Sequence, residues 1–271
     1  MKYLLSILLS LIILTGCVKK DNQPNQNSSL VAKEVNYSTD GMTLKGYLVY
    51  DSAKAGKKPG IIVVHEWWGL NDYVRHRAEM LANLGYIALA VDLYGNGKTT
   101  QHPDEAGKFA TEVMQKMDSA TARFDAGLRL LKNQPQTDTE KIAAIGYCFG
   151  GGIVLRLALD GTPVDGVVSF HGDLPTDKVK NPDSVKAKFL VCNGAADPFN
   201  PPEKVSAFKN AMDSAKVNYT FIDFPGAKHS FTNPAADSIG KKYNIPLAYN
   251  KEADEKSWND MKDFLNKLFN K

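Results

Sequence analysis

The sequence predicts an α/β fold, with a mostly parallel central sheet and helices on both of its faces. Three observations predict it. Apolar runs such as Gly60-Ile-Ile-Val-Val-His65 and Tyr86-Ile-Ala-Leu-Ala-Val-Asp-Leu-Tyr94 are too short for core helices and too uniformly apolar for half-exposed strands, which suits strands buried on both faces. Stretches with apolar residues at helical spacing alternate with these runs. Near the middle, Lys141-Ile-Ala-Ala-Ile-Gly-Tyr-Cys-Phe-Gly-Gly-Gly152 reads as a strand, a sharp turn and a helix start, with Gly146 and Gly150 two residues to either side of Cys148.

At the start of the chain, Met1-Lys2 precedes an apolar run from Leu4 to Leu14 and the small residues Thr15-Gly16. This is the pattern of a secretory signal peptide over residues 1–16, too short for a comfortable membrane span. Leu14-Thr-Gly-Cys17 resembles the lipobox of bacterial lipoproteins. That resemblance implies cleavage before Cys17, lipidation of Cys17, and an exported protein anchored by lipid to a bacterial membrane on its periplasmic or cell-surface side. Residues 17–33, polar for the most part, read as a flexible tether, which leaves 34–271 as one folded domain.

Within that domain, loose alternation of Val35, Tyr37, Leu44, Leu48 and Tyr50 around Asp40-Gly41 predicts an opening β-hairpin. After the first buried strand, Val74, Ala78, Leu81 and Leu84 define a helix over 71–84, capped by Asn71-Asp72 and Gly85. The strand at 86–94 closes at Gly95-Asn96-Gly97, and one long helical stretch over 102–133 follows, with Phe124, Leu128 and Leu131 on one face. The central strand and turn lead into a helix over 151–159. Strands are predicted at 164–170, 189–192 and 219–224, a helix at 202–216, and a final helix from Ala253 with Trp258, Met261, Leu265 and Leu268 on one stripe.

The 271 residues are 43% hydrophobic and 23% charged, enough for one large core, with no internal repeat and no linker after residue 31. A formal charge of +3 with scattered Lys and Arg gives no footprint for nucleic acid. Of the three cysteines, Cys192 ends an apolar run and reads as a small buried hydrophobe; pairing with Cys148 would remove a free thiol at the elbow. Asn27, Asn36 and Asn218 head chance glycosylation motifs.

A thiol at a strand-to-helix elbow lies at a helix N-terminus, where the dipole and unpaired N–H groups favour a thiolate. Such an elbow demands an acid and then a histidine on loops after later strands. Asp197, after the strand ending near Cys192, and His229, after the strand ending at Phe224, supply them in that order. Taken singly, Cys148 could be a buried structural cysteine, Asp197 a turn residue before Pro198 and His229 a packing histidine. Together they point to His229 as base, Asp197 as its orienter and Cys148 as nucleophile, with an acyl-enzyme as intermediate. The N–H groups of Phe149 and Trp67 are the candidate oxyanion hole. His65-Glu66 lacks the second histidine of a zinc helix, so no metal is predicted.

Four separated motifs, His65-Glu-x-x-Gly69, Asp92-Leu-Tyr94, Gly146-Tyr-Cys-Phe-Gly-Gly151, and Asp197 followed by Lys228-His-Ser-Phe231, resemble the dienelactone hydrolase family over residues 34–271. The resemblance implies an α/β-hydrolase fold, a Cys148, Asp197, His229 triad, and cofactor-free hydrolysis of an ester or lactone. It implies also a role for Glu66, beside the resting cysteine, in activating it. Members that cleave dienelactone hold its carboxylate with two arginines, at positions that read Gly95-Asn96 and Thr232-Asn233 here. Both cations are missing, so a neutral small-molecule substrate is expected, in a pocket lined by Trp67, Trp68 and Tyr94. Acyl transfer or peptide cleavage by the same triad, and a non-catalytic binding lipoprotein on this scaffold, are the alternatives. A monomer is expected.

Overall fold

The computed structural model describes residues 29–270, so the predicted signal peptide, Cys17 and most of the tether lie outside the described residues. Strand β1 (Leu30–Thr39) pairs antiparallel with β2 (Met42–Asp51) across Asp40-Gly41, whose φ values of 50° and 73° are the left-handed pair a two-residue hairpin turn requires. The ladder begins with Leu30 opposite Asp51, so residues 30–33 belong to the sheet and not to the tether. Their backbone groups gain partners on β2, a contribution that side-chain polarity does not reveal.

Six further strands, β3 (Lys58–Val64), β4 (Ile87–Val91), β5 (Thr137–Tyr147), β6 (Gly166–Phe170), β7 (Lys188–Gly194) and β8 (Tyr219–Phe224), complete an eight-stranded sheet in the order β1-β2-β4-β3-β5-β6-β7-β8. From β4 to β8 all neighbours are parallel. The chain steps outward from β3 to β4 and then returns past β3 to β5. This reversal opens a crevice at the carboxyl ends of β3 and β5, where sheets of this kind bind ligands.

Both faces of the sheet are buried, and successive residues of one strand serve opposite layers. Ile62 and Val64 face the layer built by Phe124, Leu128 and Leu131 of α3 (Met117–Lys132) and by α4 (Phe149–Leu159), which continues along the sheet to Phe208 and Met212 of α5 (Pro202–Ser214). Ile61 and Val63 face the opposite layer, built by Val74, Ala78 and Leu81 of α1 (Asp72–Asn83) and continued over β6 and β7 by Met261, Leu265 and Phe269 of α7 (Lys251–Phe269). Each Val, Leu, Ile, Phe or Met among them contributes about 1.5–3 kcal/mol when fully buried. Among the described residues no helix is long and apolar enough to cross a membrane.

Two elements depart from the sequence reading. The long helix is divided into α2 (Pro103–Gln115) and α3 at Lys116, whose φ of −127° and ψ of 58° leave the helical region. Unbroken, it would run roughly 45 Å at 1.5 Å per residue. The break lets Ala110 and Met114 of α2 cover the crevice while α3 lies on the sheet. The other difference is a short helix, α6 (Ala236–Tyr243), which carries an interior glycine and no side-chain cap, and so left no clear signature.

Candidate active site

Tyr147 is the last residue of β5 and Phe149 the first of α4, so Cys148 alone makes the turn, at φ 54° and ψ −117°. Only glycine fits on either side of it. A Cβ on Gly146 would lie 2.1 Å from the Gly150 carbonyl oxygen, and one on Gly150 would lie 2.4 Å from that of Val64. The sharp elbow thus brings β5, the start of α4 and the end of β3 together, and directs the Cys148 side chain to the crevice.

The three residues expected to act together are brought together. His229 Nε2 lies 3.0 Å from Cys148 Sγ, and His229 Nδ1 lies 2.8 Å from Asp197 Oδ2. Asp197 is fully buried and its Oδ1 accepts the Phe199 N–H at 2.9 Å, which fixes the carboxylate for the imidazole. The His229 ring is held edge-on between Phe199 at 4.9 Å and His171 at 5.5 Å. Burial alone would depress the His229 pKa, but the charge on the Cys148 sulfur and hydrogen bonds with Asp197 and Cys148 outweigh it and push it up to about 10. Cys148 and Cys192 are both free thiols, and Cys192 is buried with its pKa raised by that burial.

Glu66 follows β3, buried, and accepts hydrogen bonds from Asn233 Nδ2 at 2.7 Å and Ser230 Oγ at 3.2 Å. Burial raises its pKa, against the lowering effect of Asn233, His229, Ser230 and Arg77. Its polar partners are on the loop after His229, whereas the sulfur of Cys148 is partnered by the imidazole. In this state the carboxylate therefore braces the base's loop. Asn233, at a position where an arginine would serve a substrate carboxylate, is turned inward to hold Glu66, and neighbouring Thr232 meets Tyr73 and His171.

The N–H of Phe149 is the first of α4 and has no intrahelical partner, and that of Trp67 is in the loop directly after Glu66. Both candidate oxyanion donors thus belong to the segments that flank the thiol. His65 secures this loop, with Nδ1 2.6 Å from the Glu66 carbonyl and Nε2 accepting the Leu93 N–H at 3.3 Å.

A cavity of about 290 Å³ opens on Cys148 and His229, and Trp67, Met114, Phe149, Phe199 and Leu247 make most of its wall apolar. Trp68 and Tyr94 do not line it, contrary to expectation. Tyr94 is buried behind Trp67 and donates its hydroxyl proton to the Trp67 carbonyl at 2.9 Å; Trp68 faces a separate polar trough of about 810 Å³ that contains none of Cys148, Asp197 or His229. The Asp92 carboxylate of the Asp-Leu-Tyr motif collects the N–H groups of Lys45, Tyr94, Gly95 and Gly97, so this motif shapes a loop.

Two residues at the site escaped the sequence. Arg156 reaches the cavity wall from α4, paired at 2.7 Å with Asp173, which also meets Lys204. On the sequence it was one charge in an apolar helix. His171 follows β6, buried, with Nδ1 accepting the Cys148 N–H at 3.1 Å and Nε2 2.7 Å from Thr232 Oγ1. Burial and the nearby charges of His229 and Arg77 hold its pKa well below the usual histidine range. Its only sequence signal was its place directly after a buried strand. Among the described residues no group of three or more His, Cys, Asp or Glu could hold a metal ion.

Comparison with known proteins identifies the family. The model of the dienelactone hydrolase family matches residues 44–269. The crystal structure of a dienelactone hydrolase-like promiscuous phosphotriesterase from metagenomic libraries is 34% identical, covers 89% of this chain and 99% of its own, and superposes with a TM-score of 0.83. A protein of Saccharolobus solfataricus that carries the name carboxymethylenebutenolidase is 26% identical over 87% of this chain and 98% of its own. The protein usf of Aquifex pyrophilus is 29% identical over 80% and 97% respectively.

Proposed function

The chain belongs to the dienelactone hydrolase family and is a hydrolase, and from that premise we propose that it cleaves a neutral carboxylic ester or lactone with Cys148 as nucleophile. The observation that carries this reading is the line from Cys148 Sγ through His229 to Asp197, at 3.0 and 2.8 Å, on the floor of an apolar cavity. The thiol proton is held by His229 as the imidazolium, and the Cys148 thiolate so formed adds to the carbonyl carbon. The developing oxyanion is received by the N–H groups of Phe149 and Trp67. Collapse expels the alkoxide, which takes the proton back from His229, and leaves a thioester. Water, deprotonated by His229, then adds to the thioester, and the acid departs as the sulfur is released.

The apolar wall, the inward-turned Asn233 and the pairing of Arg156 with Asp173 support a neutral substrate. Cys17, by its lipobox resemblance, is proposed to carry the lipid that anchors the exported protein. The test is Cys148→Ala: hydrolysis of a small activated ester is expected to vanish with the melting curve nearly unchanged, and an equally active variant would rule the thiol out. The likeness to the promiscuous phosphotriesterase favours a second reading, attack of the same sulfur on a neutral phosphotriester. Release of the leaving group from such a triester, absent in Cys148→Ala, would support it.

A further inference from the structure

We infer that His171 is a positioning residue for the nucleophile, its Nδ1 accepting the Cys148 backbone N–H while its Nε2–H is donated to Thr232, so that one imidazole ties the elbow to the loop that carries the base. The inference rests on Cys148 and His229 acting as nucleophile and base.

The tautomer follows from the contacts. A backbone N–H can only donate, so Nδ1, 3.1 Å from it, is unprotonated and the ring proton is on Nε2, 2.7 Å from Thr232 Oγ1. Thr232 is three residues after His229, and its hydroxyl lies 2.6 Å from that of Tyr73, which in turn accepts from Arg77 Nε at 3.3 Å. Arg77 also holds the Thr232 carbonyl at 2.5 Å. The base's loop is thus fixed from below, and His171 extends that fixed frame to the elbow.

The elbow needs such support. Cys148 holds φ 54°, and His171 itself is at φ 43°, a left-handed conformation that disfavours any residue with a Cβ. A glycine at 171 would relieve that strain but would contribute no acceptor. The Cys148 N–H is shared between the imidazole and the Phe170 carbonyl at 3.0 Å, so two acceptors orient its peptide plane. That plane sets the direction of the Cys148 side chain. The same ring packs edge-on against His229 at 5.5 Å, so it contacts one partner of the Sγ to Nε2 pair and orients the other. A core histidine that only fills space would have no reason to place both nitrogens on the two reacting segments.

A pair of substitutions in the full chain isolates the acceptor. His171→Asn presents Oδ1 where Nδ1 stood, and asparagine tolerates positive φ; His171→Leu has similar bulk and no acceptor. The expected result is a kcat for the leucine variant about tenfold to a hundredfold below that of the asparagine variant, the scale of a small misplacement of reacting groups. KM should stay within about twofold and alkylation of Cys148 should slow in parallel, since a positioning loss falls on the reaction step. Equal kcat in the two variants overturns the inference. Should the leucine variant fail to fold, Thr232→Val against Thr232→Ser reads the other end: loss of kcat with valine and its recovery with serine supports the tie, and equality rejects it. Cys148→Ala separates the two levels, because an active alanine variant removes the nucleophile reading itself, while an inactive one beside equal His171 variants removes only the inference.

Discussion

Arg77 on α1 and Asp254 on α7 form an ion pair 2.6 Å apart inside the protein, and the same guanidinium holds the carbonyl of Thr232. One buried cation therefore joins two helices to the loop of His229. Burial alone would lower the Arg77 pKa, but the partners around it, Tyr73, Tyr147 and Asp254, raise it. Arg77→Met leaves Asp254 without its partner and is expected to destabilise the fold by about 3–5 kcal/mol, measured by urea unfolding. Adding Asp254→Leu should recover part of that loss.

Asp197→Asn keeps the shape of the side chain but removes the charge and the acceptor that raise the His229 pKa. For the native protein, ester hydrolysis should decline on the alkaline side as pH passes about 10, where the imidazolium loses its proton. In the variant that decline moves to lower pH, and kcat falls by roughly 10³–10⁴-fold. A limb that stays in place in the pH profile of kcat/KM would show that His229 does not govern it.

Glu66→Gln tests the buried carboxyl. Because burial raises its folded-state pKa above the unfolded value of about 4.3, the folded state holds that proton more tightly, and stability is lost as pH rises from the unfolded pKa through the raised one. Glutamine can accept from Asn233 and donate to Ser230 without any charge to bury. Its melting temperature at pH 7 to 8 is expected to exceed that of the native protein, and its stability should depend less on pH between 4 and 8. A lower melting temperature at neutral pH would contradict this.

Asp173→Asn leaves Arg156 and Lys204 without their shared counter-charge at the cavity wall. Although burial opposes it, those two cations hold the Asp173 carboxyl below its usual range, so it is charged at neutral pH. The native protein should prefer neutral esters to anionic ones of equal size, and the variant should narrow that preference by about tenfold, on the scale of one unit charge at a partly solvated site. A panel of matched esters measures it.

The two thiols of the described domain should differ in reactivity. Iodoacetamide applied to the folded protein is expected to label Cys148, at the cavity, and to spare Cys192, which is fully buried with a raised pKa. Peptide mass spectrometry before and after unfolding in urea distinguishes them.

Much of this was legible because the physical demands were local. A strand buried on both faces must be apolar along its whole length, and a one-residue elbow must have glycine at both shoulders, so β3, β5 and Cys148 were visible without a structure. Asp197 and His229 were legible by their place directly after strands. What escaped depended on directions in three dimensions. Trp68 and Tyr94 were near the right loop, but the chain turns them away from the cavity, to the trough and to the Trp67 carbonyl. Arg156 faces the cavity because it is eight residues along α4 from Cys148 and its side chain turns back toward the Gly152 carbonyl. His171 matters through its contacts with residues 23 and 61 positions away, which no local pattern encodes.

The first strand has a consequence for access. Strand β1 enters at Leu30, opposite Asp51, and the pairing of Val49 with Ala88 sets that end of β2 beside the start of β4. The chain therefore joins the sheet at the amino ends of its parallel strands, while Cys148, Glu66, Asp197 and His229 all follow carboxyl ends. A surface that holds the protein through the segment before Leu30 is attached at the pole opposite the cavity mouth. Anchored as proposed, the protein would keep its cavity mouth clear of its own point of attachment.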